Sequence, residues 1–216
     1  MRKVINMGLF KNFVSQTRKP TGFLGKVMLN GMNSGHGKMA DWGMSYLNIN
    51  NPKYIADLGC GGGRNAAELI KRYSKSKVWA VDYSPLSVQK ATEYNRKAIT
   101  DGRCKVMQGD VSNLSLPKEK FDLATAFETV YFWGNLNKCF AEVFSILNSG
   151  GCFMIVNESD GTDAAGKKYE KIIAGMRVYT AEGIEEALAN AGFTEIQTVH
   201  HEQKPWICAI AKKKGA

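Results

Sequence analysis

The run Asp57-Leu58-Gly59-Cys60-Gly61-Gly62-Gly63 is the stretch of this sequence best suited to binding chemistry. Glycines let the main chain pass close to a bound molecule, and a helix opening behind them offers its unpaired N–H groups. Residues 61–66 also satisfy G-x-G-x-x-A, the dinucleotide pattern, with Asp82 near the distance expected for a ribose carboxylate. A phosphate-gripping P-loop is excluded, because no Gly-Lys-Ser/Thr follows. Asp57 stands immediately before the turn, where its charge is expected to face the bound group. That repels a pyrophosphate and suits a ligand carrying an ammonium and a sulfonium. Gln108-Gly109-Asp110-Val111 adds a carboxylate placed to accept from an adenine amino group.

A second group of candidates lies further on. In Phe127-Glu128-Thr129-Val130-Tyr131-Phe132-Trp133 an acid is followed by three aromatics, all within six residues. They could frame a small pocket, with Glu128 orienting or deprotonating a nucleophile; Tyr131 and Trp133 are candidate substrate contacts, with packing against the sheet as the alternative for each ring. Asn157-Glu158 is a further polar pair. His36, within Asn33-Ser34-Gly35-His36-Gly37, could act as a base near neutral pH or cap a following helix.

The elements that position these residues follow from periodicity. Apolar runs at 53–58, 77–82, 103–108, 121–127 and 152–156 read as strands, with helices expected over 64–73, 85–99 and 135–147 between them. Ser84 can cap the second helix, with Pro85 at its first position. Such alternation implies a parallel sheet covered on both faces. A further helix is expected over 169–176, and another over 181–191, closed by Gly192. The runs 195–200 and 206–211 follow, too close together for a crossover, so they should form an antiparallel hairpin. Within residues 1–50, Leu24, Val27, Met28, Leu29 and Met32 suggest one helix, and Met39, Trp42, Tyr46 and Leu47 another. The expected organisation is an N-terminal helical cap over 1–50 and a ligand-binding domain over 51–216.

With Asp57, Asp82 and Asp110 in order at the ends of strands one, two and three, the chain resembles the class I S-adenosylmethionine-dependent methyltransferases. The match rests on Asp57-x-Gly59-x-Gly61-x-Gly63, Asp82, Gly109-Asp110, Phe121-Asp122-Leu123, Leu147-x-x-Gly150-Gly151 and the final hairpin, and covers roughly residues 50–212. The resemblance implies an α/β, Rossmann-like, doubly wound and mostly parallel seven-stranded sheet. It implies S-adenosylmethionine as cofactor, held by Asp57, Gly59, Cys60, Gly61, Gly63, Asp82, Tyr83, Asp110, Val111 and Phe127. The glycine turn would receive the methionine portion, Asp82 the ribose hydroxyls, and Asp110 with the Val111 N–H the adenine. Glu128 and His36 are the catalytic candidates; Tyr131, Trp133, Asn157 and Glu158 are the substrate-binding ones. Some members that methylate catechol hydroxyls hold magnesium at the ends of strands four and five. Glu128, Asn157 and Glu158 match that pattern inexactly, and no metal is expected.

Composition bounds the partners. The chain has 216 residues, with 44% hydrophobic and 23% charged, as an ordinary globular domain does. The net charge of +9 is concentrated in residues 1–50 and the Lys212-Lys213-Lys214 tail, leaving the body nearly neutral. That favours a small-molecule methyl acceptor. The basic first segment leaves open an RNA methyltransferase, although Glu128-Thr129-Val130-Tyr131 stands where base-amino methylating relatives often carry Asn-Pro-Pro-Tyr. A cofactor-binding regulator without turnover and a nicotinamide enzyme also stay open. Five scattered cysteines, no secretory leader and no bilayer-length apolar run lead to the expectation of a cytoplasmic protein, monomer or homodimer, with no membrane partner.

Overall fold

The structure is a computed structural model and describes residues 36–215. The helix expected around residues 24–32 lies outside the described residues. Strands β1 (Tyr54–Leu58), β2 (Lys77–Asp82), β3 (Cys104–Gln108), β4 (Phe121–Phe127), β5 (Leu147–Asn157), β6 (Thr194–His200) and β7 (Ile207–Lys212) form one sheet in the order β3-β2-β1-β4-β5-β7-β6. Pairings from β3 through β5 are parallel, while β7 runs antiparallel to both β5 and β6. The seven strands and the closing hairpin are those expected from the sequence. The order reverses between β1 and β4, and an open α/β sheet has its crevice at the carboxyl ends of the strands flanking such a reversal.

Helices α1 (Gly37–Ser45), α2 (Arg64–Arg72), α3 (Pro85–Tyr94), α4 (Arg96–Thr100), α5 (Leu136–Ile146), α6 (Ala164–Ile172) and α7 (Ala181–Asn190) complete the described architecture. Strand side chains alternate between two cores. Ala56, Leu58, Phe153 and Ile155 join Phe140, Val143 and Leu188 on one face, whereas Ile55, Leu123, Met154 and Val156 join Leu69, Met39 and Met44 on the other. α1 therefore packs against one face of the sheet. Its Gly43 permits the approach, since a Cβ there would come within 2.5 Å of a Val156 methyl.

Three expectations shift. The helix begun by Pro85, capped by the Ser84 hydroxyl as anticipated, breaks at Asn95 instead of running to 99. The Asn95 amide donates to the carbonyl of Gly63 at 2.9 Å, which ties the break to the glycine turn. β5 begins at Leu147 rather than 152, because Leu147 pairs with Phe121 across a register shift. The helix expected over 169–176 occupies Ala164–Ile172: Asp163 caps it through the Gly166 N–H at 2.7 Å, and Gly175, at φ 75°, lies beyond its end.

Candidate active site

β1 leads into a turn that only glycine makes cheaply. Gly59, Gly61 and Gly63 have φ of 74°, 52° and 84°, and Gly63 is the left-handed residue from which α2 starts. The Gly59 and Cys60 amides both donate to the Val81 carbonyl, and the Gly61 N–H donates to Asp82 Oδ2 at 2.9 Å. Asp82 Oδ1 accepts from the Ser84 N–H at 2.9 Å. The end of β2 thus holds the turn that follows β1.

This turn floors a cleft of about 480 Å³ at the carboxyl ends of the strands. Of the cofactor candidates, Gly59, Cys60, Gly61, Asp82 and Tyr83 line it, as do Asp110, Val111 and Phe127. His36, Glu128 and Trp133 line it too, so the candidate catalytic pair and the cofactor candidates share one space. Arg64, Phe132 and Lys138 also line it, and sequence reasoning did not single them out. Arg64 carried a signal as the first helical residue behind the glycine turn; Phe132 was legible only as one of three adjacent rings.

Other candidates lie behind the lining. Asp57 is expected from the sequence to face the ligand; the structure buries it, because strand alternation puts it on the face of Ile55 rather than at the rim. One carboxylate oxygen accepts from the Thr125 hydroxyl at 3.0 Å and the other has no hydrogen-bond partner among the described residues. Burial, with Asp82 adding to it against the Thr125 bond, pushes the carboxyl up to about 7. Gly63 packs against Ala91 and Asn95, not against the cleft. Asn157 is fully buried at the end of β5, its side-chain amide unpartnered among the described residues. Cys60 keeps its proton: burial, then the nearby Asp82 and Asp57 charges, raise its thiol well above the ordinary range.

The far wall is built around Glu128. Leaving β4 it adopts φ 56°, a left-handed conformation that costs a non-glycine residue of the order of 1 kcal/mol and folds the carboxylate back over the strand ends. A single 3-10 turn, Val130–Phe132, then buries Tyr131 and leaves Phe132 on the lining. The Tyr131 hydroxyl donates to Glu128 Oε1 at 2.9 Å, and the Glu158 backbone N–H donates to the same oxygen. Trp133 is mostly buried, its ring 6.0 Å from Phe140 and its indole N–H on the Thr129 hydroxyl at 3.2 Å.

His36, at the start of α1, completes this wall. Its Nδ1 lies 3.3 Å from Glu158 Oε1 and 3.7 Å from Glu128 Oε2. Burial works against a charged imidazole, but the Glu158 and Glu128 carboxylates outweigh it and raise the His36 pKa. Burial likewise pushes Glu128 up to about 7, against the opposing pull of His36 and its hydrogen bonds. One donor atom from each of His36, Glu128 and Glu158 lies within 4.8 Å of the others. Arg64 fastens α1 to α2, its Nη2 reaching both Asp41 carboxylate oxygens at 2.6 and 2.7 Å.

Comparison with known proteins agrees with this arrangement. A family model described as a methyltransferase domain matches residues 55–151, the segment from β1 into β5. A sterol 24-C-methyltransferase of Candida albicans is 26% identical over 156 residues, covering 68% of this chain and 41% of that protein. The chain thus spans about two fifths of the length of the sterol methyltransferases it matches. Among solved structures, a complex of the Haloferax volcanii Trm112 methyltransferase activator with a methyltransferase contains a chain matching at TM-score 0.78 and 17% identity, over 87% of this chain and 94% of that one. Human N-acetylserotonin methyltransferase in complex with SAM matches at TM-score 0.72 and 17% identity, over 88% of this chain and 55% of that one. At such identities the structural likeness speaks for the fold, while the sequence matches speak for the domain. Together with the glycine turn, these matches identify residues 55–151 as a methyltransferase domain, set in a fold that the chain shares with solved methyltransferase structures.

Proposed function

We propose that this chain transfers the methyl group of S-adenosylmethionine to a small-molecule acceptor. The observation that carries the reading is the shared cleft: the glycine turn, Asp82 and Asp110 line one part of it, Glu128 and His36 another. Its volume falls within the ~300–1,000 Å³ usual for small-molecule sites. S-adenosylmethionine, when bound, supplies a methyl group on a positively charged sulfur. The chain's own task is to bind, align, exclude water and, where the acceptor requires it, take a proton.

The residues present fit this group. Asp82 accepts the Gly61 and Ser84 N–H groups and lines the cleft, which places a carboxylate where the neighbouring hydroxyls of a ribose need an acceptor. A side chain at Gly61 would meet nothing within 4 Å, so the turn keeps open the space that the methionine portion requires. Asp110 and Val111 serve the adenine, and Phe127 with Tyr83 supply apolar wall. Glu128 and His36 stand as the catalytic pair, with Trp133 and Phe132 beside the acceptor. Buried Tyr131 and Asn157 then act from behind the lining rather than by touching substrate. We read residues 51–216 as the methyltransferase domain and 1–50 as its cap, of which α1 is the described part.

No helix among the described residues is long and apolar enough to cross a membrane. The five cysteines are free and buried, which supports a reducing, cytoplasmic setting.

Calorimetric titration with S-adenosylmethionine tests the cofactor. Incubation of the enzyme with a methyl-labelled donor and a metabolite extract tests the transfer. Binding followed by a labelled small molecule is the expected outcome. Tight NADH binding without S-adenosylmethionine binding would overturn it, and donor binding without any labelled product would favour a regulator.

A further inference from the structure

The two oxygens of Glu128 are not equivalent. The Tyr131 hydroxyl has a single proton, and its oxygen accepts the Ser159 N–H at 2.9 Å, so that proton goes to Glu128 Oε1. The Glu158 backbone N–H also donates to Oε1. A carboxylate oxygen offers two in-plane lone pairs. Both on Oε1 are engaged, and a proton arriving at Glu128 must settle on Oε2.

Oε2 looks toward His36, whose Nδ1 is 3.7 Å away, and the same nitrogen is 3.3 Å from Glu158 Oε1. Exposure rises along this line: the Glu128 side chain is 14% exposed and the Glu158 side chain 37%. The charged and titratable groups facing Glu128 are His36 from α1, Glu158 from the end of β5, and Tyr131 from the 3-10 turn. A carboxyl at about 7 is suited to accept a proton near neutrality without keeping it.

Resting on the methyl-transfer reading, we propose that the acceptor is a protic nucleophile, an O–H, S–H or N–H group, and that its proton leaves through Glu128 Oε2, His36 Nδ1 and Glu158 to water. In the transfer the sulfur–methyl bond breaks, its electron pair staying on sulfur, while a lone pair of the acceptor forms the new bond to carbon. The acceptor's bond to hydrogen then breaks, its pair returning to the acceptor atom, and the proton forms an O–H bond on Oε2; the His36 Nδ1–H bond breaks toward Glu158 Oε1, the freed nitrogen pair takes the proton from Oε2, and Glu158 passes its proton to water. An acceptor with no hydrogen on the attacking atom, such as a tertiary amine, releases no proton and leaves this path idle. Tyr131 is a positioning residue here: it acts through Glu128 by filling Oε1.

The first test needs neither donor nor acceptor. The full chain carrying glutamate labelled with carbon-13 at the side-chain carboxyl is titrated by NMR, the Glu128 signal being assigned by its loss in Glu128→Gln. A midpoint near neutrality is expected. Tyr131→Phe, which removes a donor to the carboxylate, should raise it by about half a unit or more, and Glu158→Gln, which removes a like charge, should lower it. Because Glu158 is partly exposed, the second variant remains informative if Tyr131→Phe folds poorly.

The second test reads the methyl-labelled products. Label is expected on oxygen, nitrogen or sulfur that carried hydrogen. Glu128→Gln should lower turnover about 100-fold with donor affinity unchanged, and His36→Ala about tenfold, regained with added imidazole. Unshifted midpoints, a labelled quaternary ammonium or carbon-methylated product, or turnover lost to EDTA and restored by Mg2+ would each overturn the proton path. Absence of donor binding with the titrations as expected would instead strike the methyl-transfer reading beneath it.

Discussion

Asp82 Oδ2 accepts the Gly61 N–H at 2.9 Å, so the acid that closes β2 holds the turn that follows β1. Oδ1 is likewise engaged by the Ser84 N–H at the start of α3. One carboxylate thus shapes two walls of the cleft while turned toward its interior. Asp82→Ala should weaken S-adenosylmethionine binding at least about tenfold by calorimetry, with a stability loss of about 1–2 kcal/mol from the donors left without their acceptor. Asp82→Asn should bind weakly as well, because its NH2 must then oppose one of those N–H groups.

The glycines of the turn should separate folding from binding. A Cβ on Gly59 would lie 2.0 Å from the Thr129 hydroxyl at φ 74°, so Gly59→Ala should cost about 3 kcal/mol or more in denaturant unfolding. A Cβ on Gly61 meets nothing within 4 Å, and its φ of 52° is the only strain. Gly61→Ala should lose only about 1 kcal/mol, and its larger effect should appear in cofactor affinity.

Stability of the ligand-free protein should depend on pH through Asp57. Its folded carboxyl titrates at about 7 against an ordinary 3.8, so the folded state holds this proton more tightly than the unfolded state. The contribution is present below about pH 4 and is lost as pH rises through 7. Asp57→Asn, which can still accept from Thr125, should flatten that decline and raise stability at pH 8 by a few kcal/mol, on the order set by the shift. Glu128, pushed up to about 7 in the same sense, should leave a residual slope that Glu128→Gln removes. Thermal melts across pH 4–8 check both.

Cys60 lines the cleft yet should react slowly. Its thiol is buried and held well above its ordinary range. Alkylation by iodoacetamide at pH 8 should be about 100-fold slower than for free cysteine and become fast in denaturant. Rapid labelling of the native chain would mean that the glycine turn opens.

Local periodicity carried much of this molecule. Short apolar runs located all seven strands, and the glycines after Leu58 with the acids at Asp82 and Asp110 marked the rim of the cleft, since such signals depend only on near neighbours in the chain. The packing of α1 on the sheet, by contrast, brings His36 to Glu128 and Glu158, and no spacing in the sequence encodes that meeting. The same holds for Asp57, turned inward by strand alternation, and for the 3-10 turn that buries Tyr131 while leaving Phe132 on the cleft. Contacts between residues far apart in the chain are decided by how whole elements pack, and only the folded chain fixes that.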